Sequence, residues 1–247
     1  MHPILFKIGS LTFYTYGLFT ALAMVAAFIA AMRTCRRAGI DPVQAADILF
    51  FIFVSGIVGA RLFYVLQHLD EYGSAPWKAL MLREGGLVWY GGFIVSASLG
   101  LIYARWRGWP MLKLLDFYAP IIALGHGVGR IGCFMNGCCF GKAVSWGVTF
   151  PADILPRVPV QIYEAASLAA LSLYLFRLGS VKHREGAVFA AYLFLYGVIR
   201  FCLEFLRGDQ VHYGLFSIPQ WTSVGLAAAG VAVYLMISKG GRRPGSA

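Results

Sequence analysis

Seven apolar runs, near residues 14–32, 46–67, 87–104, 114–139, 160–178, 187–206 and 217–238, decide what this chain of 247 residues can become. Each is close to the roughly 17–25 residues that a helix needs to cross the hydrocarbon of a bilayer. Lipid offers nothing to hydrogen-bond a bare N–H or C=O, so such a run must satisfy its backbone internally, as a helix does. Composition agrees: 13% of residues are charged and 59% hydrophobic, whereas a soluble domain carries about a quarter charged residues. Short polar turns separate the runs. The expectation is an all-α polytopic membrane protein of about seven transmembrane helices, with one helical domain over 1–239 and a short basic cytoplasmic tail over 240–247.

The net charge of +10 invites a nucleic-acid reading, but the basic residues follow the membrane instead. The turns after the first, third, fifth and seventh runs hold Arg33, Arg36, Arg37, Arg105, Arg107, Lys113, Arg177, Lys182, Arg184, Lys239, Arg242 and Arg243, twelve of the 21. The positive-inside rule then places the N-terminus outside and the C-terminus in the cytoplasm, and nucleic acid is not an expected partner. The first run has no basic segment before it and no A-x-A-like site after it, so it reads as a permanent span.

Charges within the apolar runs stand out, because one at the bilayer centre costs at least about 2.5–3.5 kcal/mol. Arg130 lies 17 residues beyond Lys113 and Arg200 lies 16 beyond Arg184, about 25 Å and 24 Å along their helices. Both runs point outward, so the two arginines are expected at one depth in the outer part of the membrane. Tyr90 is expected about 10 Å below the same surface. Glu204 and Arg207 follow Arg200 on one helical face. Arg200 and Glu204 read either as a buried structural pair or as part of a binding site. Arg130, set among Gly125, Gly127, Gly129 and Gly132, favours the second reading, because a planar guanidinium can hold two oxygens of a lipid phosphate. The glycines imply either a close helix approach or a broken helix.

An ordered set of motifs extends over nearly the whole chain. They are Tyr16-Gly17; Gly59-Ala60-Arg61-Leu62 with Tyr64; Tyr90-Gly91-Gly92; Gly129-Arg130-Ile131-Gly132-Cys133-Phe134-Met135-Asn136-Gly137 with Gly141; Pro159-Val160-Gln161-Ile162-Tyr163-Glu164; and Arg200-Phe201 with Glu204-Phe205 and Arg207. This set resembles the phosphatidylglycerol:prolipoprotein diacylglyceryl transferases. The resemblance implies a multi-pass protein of the bacterial inner membrane. Its reaction would move the diacylglyceryl group of phosphatidylglycerol onto the lipobox cysteine of a prolipoprotein signal peptide, forming a thioether and releasing glycerol phosphate. Arg130 and Arg200 would hold the phosphate, with Asn136, Gly141, Glu164 and Glu204 shaping the site. Tyr16, Arg61, Gln161, Tyr163 and Arg207 lie in the same motifs and join the candidate substrate-binding residues. The partners would be the two substrates and membrane lipids, with no cofactor and no metal.

Three departures from the family pattern leave the thiol base open. Tyr90 stands where many members have His, and Cys133 and Cys138 replace an Asn and a Glu of the signature. Tyr90 and His126 are the candidate bases, His126 being four residues before Arg130 and about 6 Å away along the helix. The five cysteines, three of them within Cys133–Cys139, show no paired C-x-x-C spacing and read first as packing residues. Two rival functions remain: a small transporter or lipid carrier using the intramembrane charges, and a membrane thiol oxidoreductase using Cys133, Cys138 and Cys139.

Overall fold

The computed structural model describes residues 2–9, 11–72, 76–81, 85–151, 153–208 and 212–240. Arg242 and Arg243 of the tail, used above to assign sidedness, lie outside them. In chain order the elements are β1 (Ile4–Ile8), β2 (Leu11–Tyr14), α1 (Thr15–Thr34), α2 (Pro42–Gln67) and the one-turn α3 (Leu69–Tyr72). A 3-10 turn (Pro76–Leu80), α4 (Trp89–Trp106), α5 (Met111–Asn136), β3 (Ala143–Thr149) and β4 (Pro156–Arg157) follow. Then come α6 (Val160–Ser180), α7 (Ala187–Glu204), β5 (His212–Tyr213), β6 (Phe216–Ser217) and α8 (Ile218–Gly240). The protein is thus a predominantly helical membrane protein. Among the described residues, α1, α2, α5, α7 and α8 are long and apolar enough to cross a membrane. α4 and α6 have 18 and 21 residues but fall outside that set.

Three short antiparallel pairs, β1–β2, β3–β4 and β5–β6, add to the all-helical expectation. Helix limits also shift for local reasons. α2 starts at Pro42, earlier than the apolar run, because Asp41 accepts hydrogen bonds from the Val43 and Gln44 N–H groups at 2.7 and 3.3 Å, and proline suits the first helical position. α5 stops at Asn136 although the apolar run continues. There the Gly137 N–H bonds to Phe134 O and the Cys138 N–H to Cys133 O, both at 3.1 Å, with Gly137 at φ 76°. That is a Schellman turn, which needs the left-handed residue that glycine supplies most readily.

The chain forms two compact units, residues 1–38 with 112–247 and residues 39–111. In the first, Ala119 and Ala123 of α5, Leu168, Leu171 and Leu175 of α6, and Val188 and Tyr192 of α7 make the buried core. Ser172 Oγ donates to Pro120 O at 2.8 Å, tying α6 to α5 beside its internal proline. Asp116 of α5 accepts from the Gly186 and Phe189 N–H groups at 2.6 and 2.8 Å and so caps α7, whose own preceding residue offers no side chain. Helix N–H groups left bare in lipid would be costly, which gives this buried carboxylate its purpose.

In the second unit α2 and α4 pack backbone to backbone. A Cβ on Gly59 would stand 2.8 Å from Gly91 O, and one on Gly91 would stand 2.8 Å from Gly59 O. Small residues at such a crossing allow the van der Waals contact that drives helix association in lipid. The buried Arg61 of α2 clamps the segment that follows: Nε donates to Ala79 O (2.7 Å), Nη2 to Lys78 O (2.7 Å), and Nη1 to Gly85 O (2.6 Å) and Gly86 O (3.2 Å).

Candidate functional site

Arg130 and His126 occupy successive turns of α5, as their spacing requires, and the Arg130 Nε–H donates to His126 Nε2 at 3.2 Å. The helix runs unbroken through its glycines, so the close-approach reading holds: a Cβ on Gly132 would meet Phe19 Cβ of α1 at 2.7 Å. From the second turn of α6, the almost fully buried Glu164 brings Oε1 to 3.0 Å from Arg130 Nε and 3.7 Å from His126 Nε2. The His126 lone pair and the Glu164 carboxylate thus converge on one N–H of Arg130, which leaves the other donors of its guanidinium for a ligand.

α7 supplies the second arginine. Arg200 Nη1 lies 2.6 Å from Glu204 Oε2, and the other carboxylate oxygen accepts from Ser217 Oγ at 3.0 Å. Ser217 is itself fixed by Gln220, whose Oε1 accepts its N–H at 3.0 Å. Tyr196, one turn before Arg200, links the two pairs. Its ring meets His126 edge-on at 5.6 Å, and its hydroxyl lies within Coulombic reach of Glu164, Arg130 and Arg200. Arg130 and Arg200, expected at one depth, therefore act on the same two side chains, His126 and Tyr196.

Charge rather than directed hydrogen bonding holds both ion pairs. Gln161 Oε1, Glu164 Oε1, Arg200 Nη1 and Glu204 Oε2 are all buried without a hydrogen-bond partner. Three of the four belong to the ion pairs themselves, which leaves Gln161 Oε1 as the one of the set with neither kind of partner, and a native interior leaves few such atoms. Acceptors and a cationic donor together suit a ligand that carries both hydroxyls and an anionic oxygen.

The Schellman turn builds the floor of this region. It stacks Cys138 over Cys133, and Cys139, at φ 63°, folds back so that the three Sγ atoms lie within 4.8 Å of one another. A non-glycine residue held there costs about 1–3 kcal/mol, a strain that clusters at functional sites. Gln161 Nε2 donates to Cys138 O at 2.6 Å, and the Cys138 thiol donates to Cys133 O at 3.6 Å, with Asn136 the last residue of α5 before the turn. Tyr16 lies against Gly132 and within reach of the Arg130 charge, and Arg207 acts on Cys139. Gly141 has a scaffolding place: its N–H bonds to Val158 O at 2.9 Å, and a Cβ there would stand 2.5 Å from Leu206 O. Tyr163 is 38% exposed on the side of α6 away from its buried neighbour Glu164.

Two sequence candidates lie in the other unit. Tyr90, in the first turn of α4, is 67% exposed and edge-on to Trp89 at 5.2 Å. Arg61, a candidate for substrate binding, makes four hydrogen bonds to backbone carbonyls. Tyr196, Ser217 and Gln220 were not foreseen; only Tyr196 had a signal, its four-residue spacing from Arg200.

Comparison with known proteins extends the likeness. Residues 3–236 match the family described as prolipoprotein diacylglyceryl transferase. The phosphatidylglycerol–prolipoprotein diacylglyceryl transferase of Geobacter sulfurreducens is 34% identical, over 96% of this chain and 95% of that protein. The Clostridium tetani protein of the same name is 32% identical over 95% and 97%, and that of Pseudoalteromonas atlantica 38% identical over 87% and 78%.

Proposed function

The chain belongs to the prolipoprotein diacylglyceryl transferase family and transfers the diacylglyceryl group of phosphatidylglycerol to prolipoproteins, and we propose that Arg130 and Arg200 carry that reaction by holding its phosphate. The acceptor is the lipobox cysteine thiol. Its sulfur attacks the glyceryl carbon that bears the phosphate, a thioether forms, and glycerol phosphate leaves. The two guanidiniums neutralise the charge that gathers on the departing oxygen. These matches favour the transferase over a small transporter, a lipid carrier or a thiol oxidoreductase.

The observation that carries the proposal is the pair of buried arginine–carboxylate ion pairs, Arg130 with Glu164 at 3.0 Å and Arg200 with Glu204 at 2.6 Å, with His126 and Tyr196 in edge-on contact beside them. Phosphatidylglycerol offers a phosphate for Arg200 Nη1 and the free donors of Arg130, and glycerol hydroxyls for Glu164, Glu204 and Gln161. Tyr90 orients substrate, and the remaining motif residues support the site as described. A free thiol has a pKa near 8.5, so supplying its thiolate at pH 7 is worth only about 2 kcal/mol. A preorganised donor to a developing anion is worth about 3–4 kcal/mol. The arginines therefore outweigh any base.

The same reading makes α4 and α6 membrane spans, giving seven, with the N-terminus external and the C-terminus cytoplasmic in the inner membrane of a bacterium. Charge asymmetry supports this, and it puts the arginines toward the leaflet where exported prolipoproteins arrive. The test is to incubate purified protein with phosphatidylglycerol and a lipobox peptide. Peptide that gains the diacylglyceryl mass, with glycerol phosphate released in equal amount, is the expected outcome. Release without transfer would mark a lipase instead.

A further inference from the structure

Cys133, Cys138 and Cys139 are not used by the transfer as described, yet the backbone is strained to gather them. The positions that the Schellman turn stacks ordinarily make an apolar contact; here both are cysteines, and the left-handed Cys139 adds a third sulfur. Three sulfurs around one zinc at about 2.3 Å would lie roughly 3.8–4 Å apart. The observed separations, all within 4.8 Å, close to that by small side-chain rotations. Three protein ligands with an open fourth position is the arrangement of catalytic zinc, whereas structural zinc is closed by four.

We propose that Cys133, Cys138 and Cys139 bind one zinc ion whose open position takes the acceptor thiol. The inference rests on the transferase reading. Three thiolates and Zn(II) make a singly negative complex, and the Arg130 and Arg207 side chains lie close enough to Cys139 to act on its charge. Softness selects zinc or another thiophilic cation over magnesium or calcium. The Gln161 side chain fixes the turn that presents the ligands, the supporting role that outer-shell groups play at metal sites.

The chemistry answers the question left by Tyr90. A thiol that coordinates zinc gives up its proton to solvent at neutral pH. The bound sulfur attacks the glyceryl carbon, the carbon–oxygen bond to phosphate breaks, and that oxygen keeps the electron pair. The charge of the diester and that of the thiolate leave together on the glycerol phosphate dianion, next to Arg130 and Arg200. The product thioether is neutral, a poorer zinc ligand than thiolate, so the fourth position reopens.

Protein purified under reducing conditions is expected to hold one zinc per chain by elemental analysis. That zinc is lost in the combined variant Cys133→Ser, Cys138→Ser, Cys139→Ser and retained in Cys202→Ser. Cobalt(II) exchanged into the native protein should show sulfur-to-metal charge transfer. Its visible bands should shift on adding the lipobox peptide, and not on adding the peptide with serine in place of cysteine. Turnover of the triple variant should fall about thirtyfold, the thiolate fraction forfeited at pH 7, while phosphatidylglycerol binding persists and reports a folded protein. Should that variant fail to fold, the cobalt spectrum of the native protein decides alone. Native protein that transfers lipid without zinc and without a cobalt band overturns the proposal. So do near-native turnover in a folded triple variant, a disulfide among the three cysteines in active protein, or a lipid adduct on any of them. Protein that binds zinc but transfers no lipid overturns the transferase reading, and the metal's catalytic role with it.

Discussion

Replacing Arg130 with alanine removes a cation whose Nε lies 3.0 Å from a carboxylate that is 1% exposed, so two effects must be separated. The first is chemical: loss of one preorganised donor to the departing phosphate costs about 3–4 kcal/mol, roughly a hundred- to a thousandfold in turnover. The second is structural: Glu164 becomes an uncompensated buried charge, which costs about 3–5 kcal/mol. Set against a total stability of about 5–15 kcal/mol, that is enough to blur any reading of the single variant. The double variant Arg130→Ala, Glu164→Gln removes the orphaned charge along with its partner. Its melting temperature should rise well above that of Arg130→Ala, while its rate of glycerol phosphate release, measured in mixed micelles with saturating peptide, stays at least about a hundredfold below native. Recovery of turnover together with stability would mean that Arg130 serves only to neutralise Glu164, and the phosphate-holding role would be refuted.

Arg61→Ala should cost about 1.5–3 kcal/mol for each charged hydrogen bond not replaced by water, and expose the chain around Lys78, Ala79, Gly85 and Gly86 to limited proteolysis; unchanged proteolysis with abolished turnover would assign Arg61 to the substrate. Gly141→Ala drives a methyl against Leu206 O, so it should lower the melting temperature and yield of folded protein more than the rate per folded molecule. Tyr90→Phe should reduce turnover less than Arg130→Ala or Arg200→Ala, and Tyr90→His should retain activity. If His126→Gln alone abolishes the rise in rate with pH, His126 is the base. A reporter fused after Arg243 should be cytoplasmic and a tag near Ala75 external; the reverse in both would put the arginines in the wrong leaflet.

Hydropathy located the seven long helices to within a few residues because lipid forces apolar runs to be helical, but it is blind to how they end. Asp41-Pro42 carried a helix-start signal within an otherwise weak window, and Gly137 carried a stop signal within an apolar one. The β1–β2 pair was not read from the sequence, where the alternation of Ile4, Phe6 and Ile8 was its signal but the segment was too short to span a membrane. Spacing predicted the contacts within one helix, Arg130 with His126 and Arg200 with Glu204. It could not predict Glu164 against Arg130 or Ser217 against Glu204, since those depend on how α5, α6, α7 and α8 are rotated. The gathering of the three cysteines was not legible for a related reason. Metal-ligand spacings assume a regular loop, whereas here a helix end and one left-handed residue bring Cys133, Cys138 and Cys139 together.

The reciprocal glycine contact between α2 and α4 bears on how tolerant position 90 is to change. Gly91 is seated on Gly59 O, and Gly92 would place a Cβ 2.9 Å from Gly56 O, so the start of α4 is anchored by two residues that have no side chain to alter. The preceding side chain takes no part in that crossing. Tyrosine or histidine can therefore occupy position 90 without moving the helix, and the chemistry offered there can drift while its location stays fixed. Gly59, Gly91 and Gly92 would be the unforgiving members of their motifs, intolerant even of alanine, while position 90 remains open to exchange.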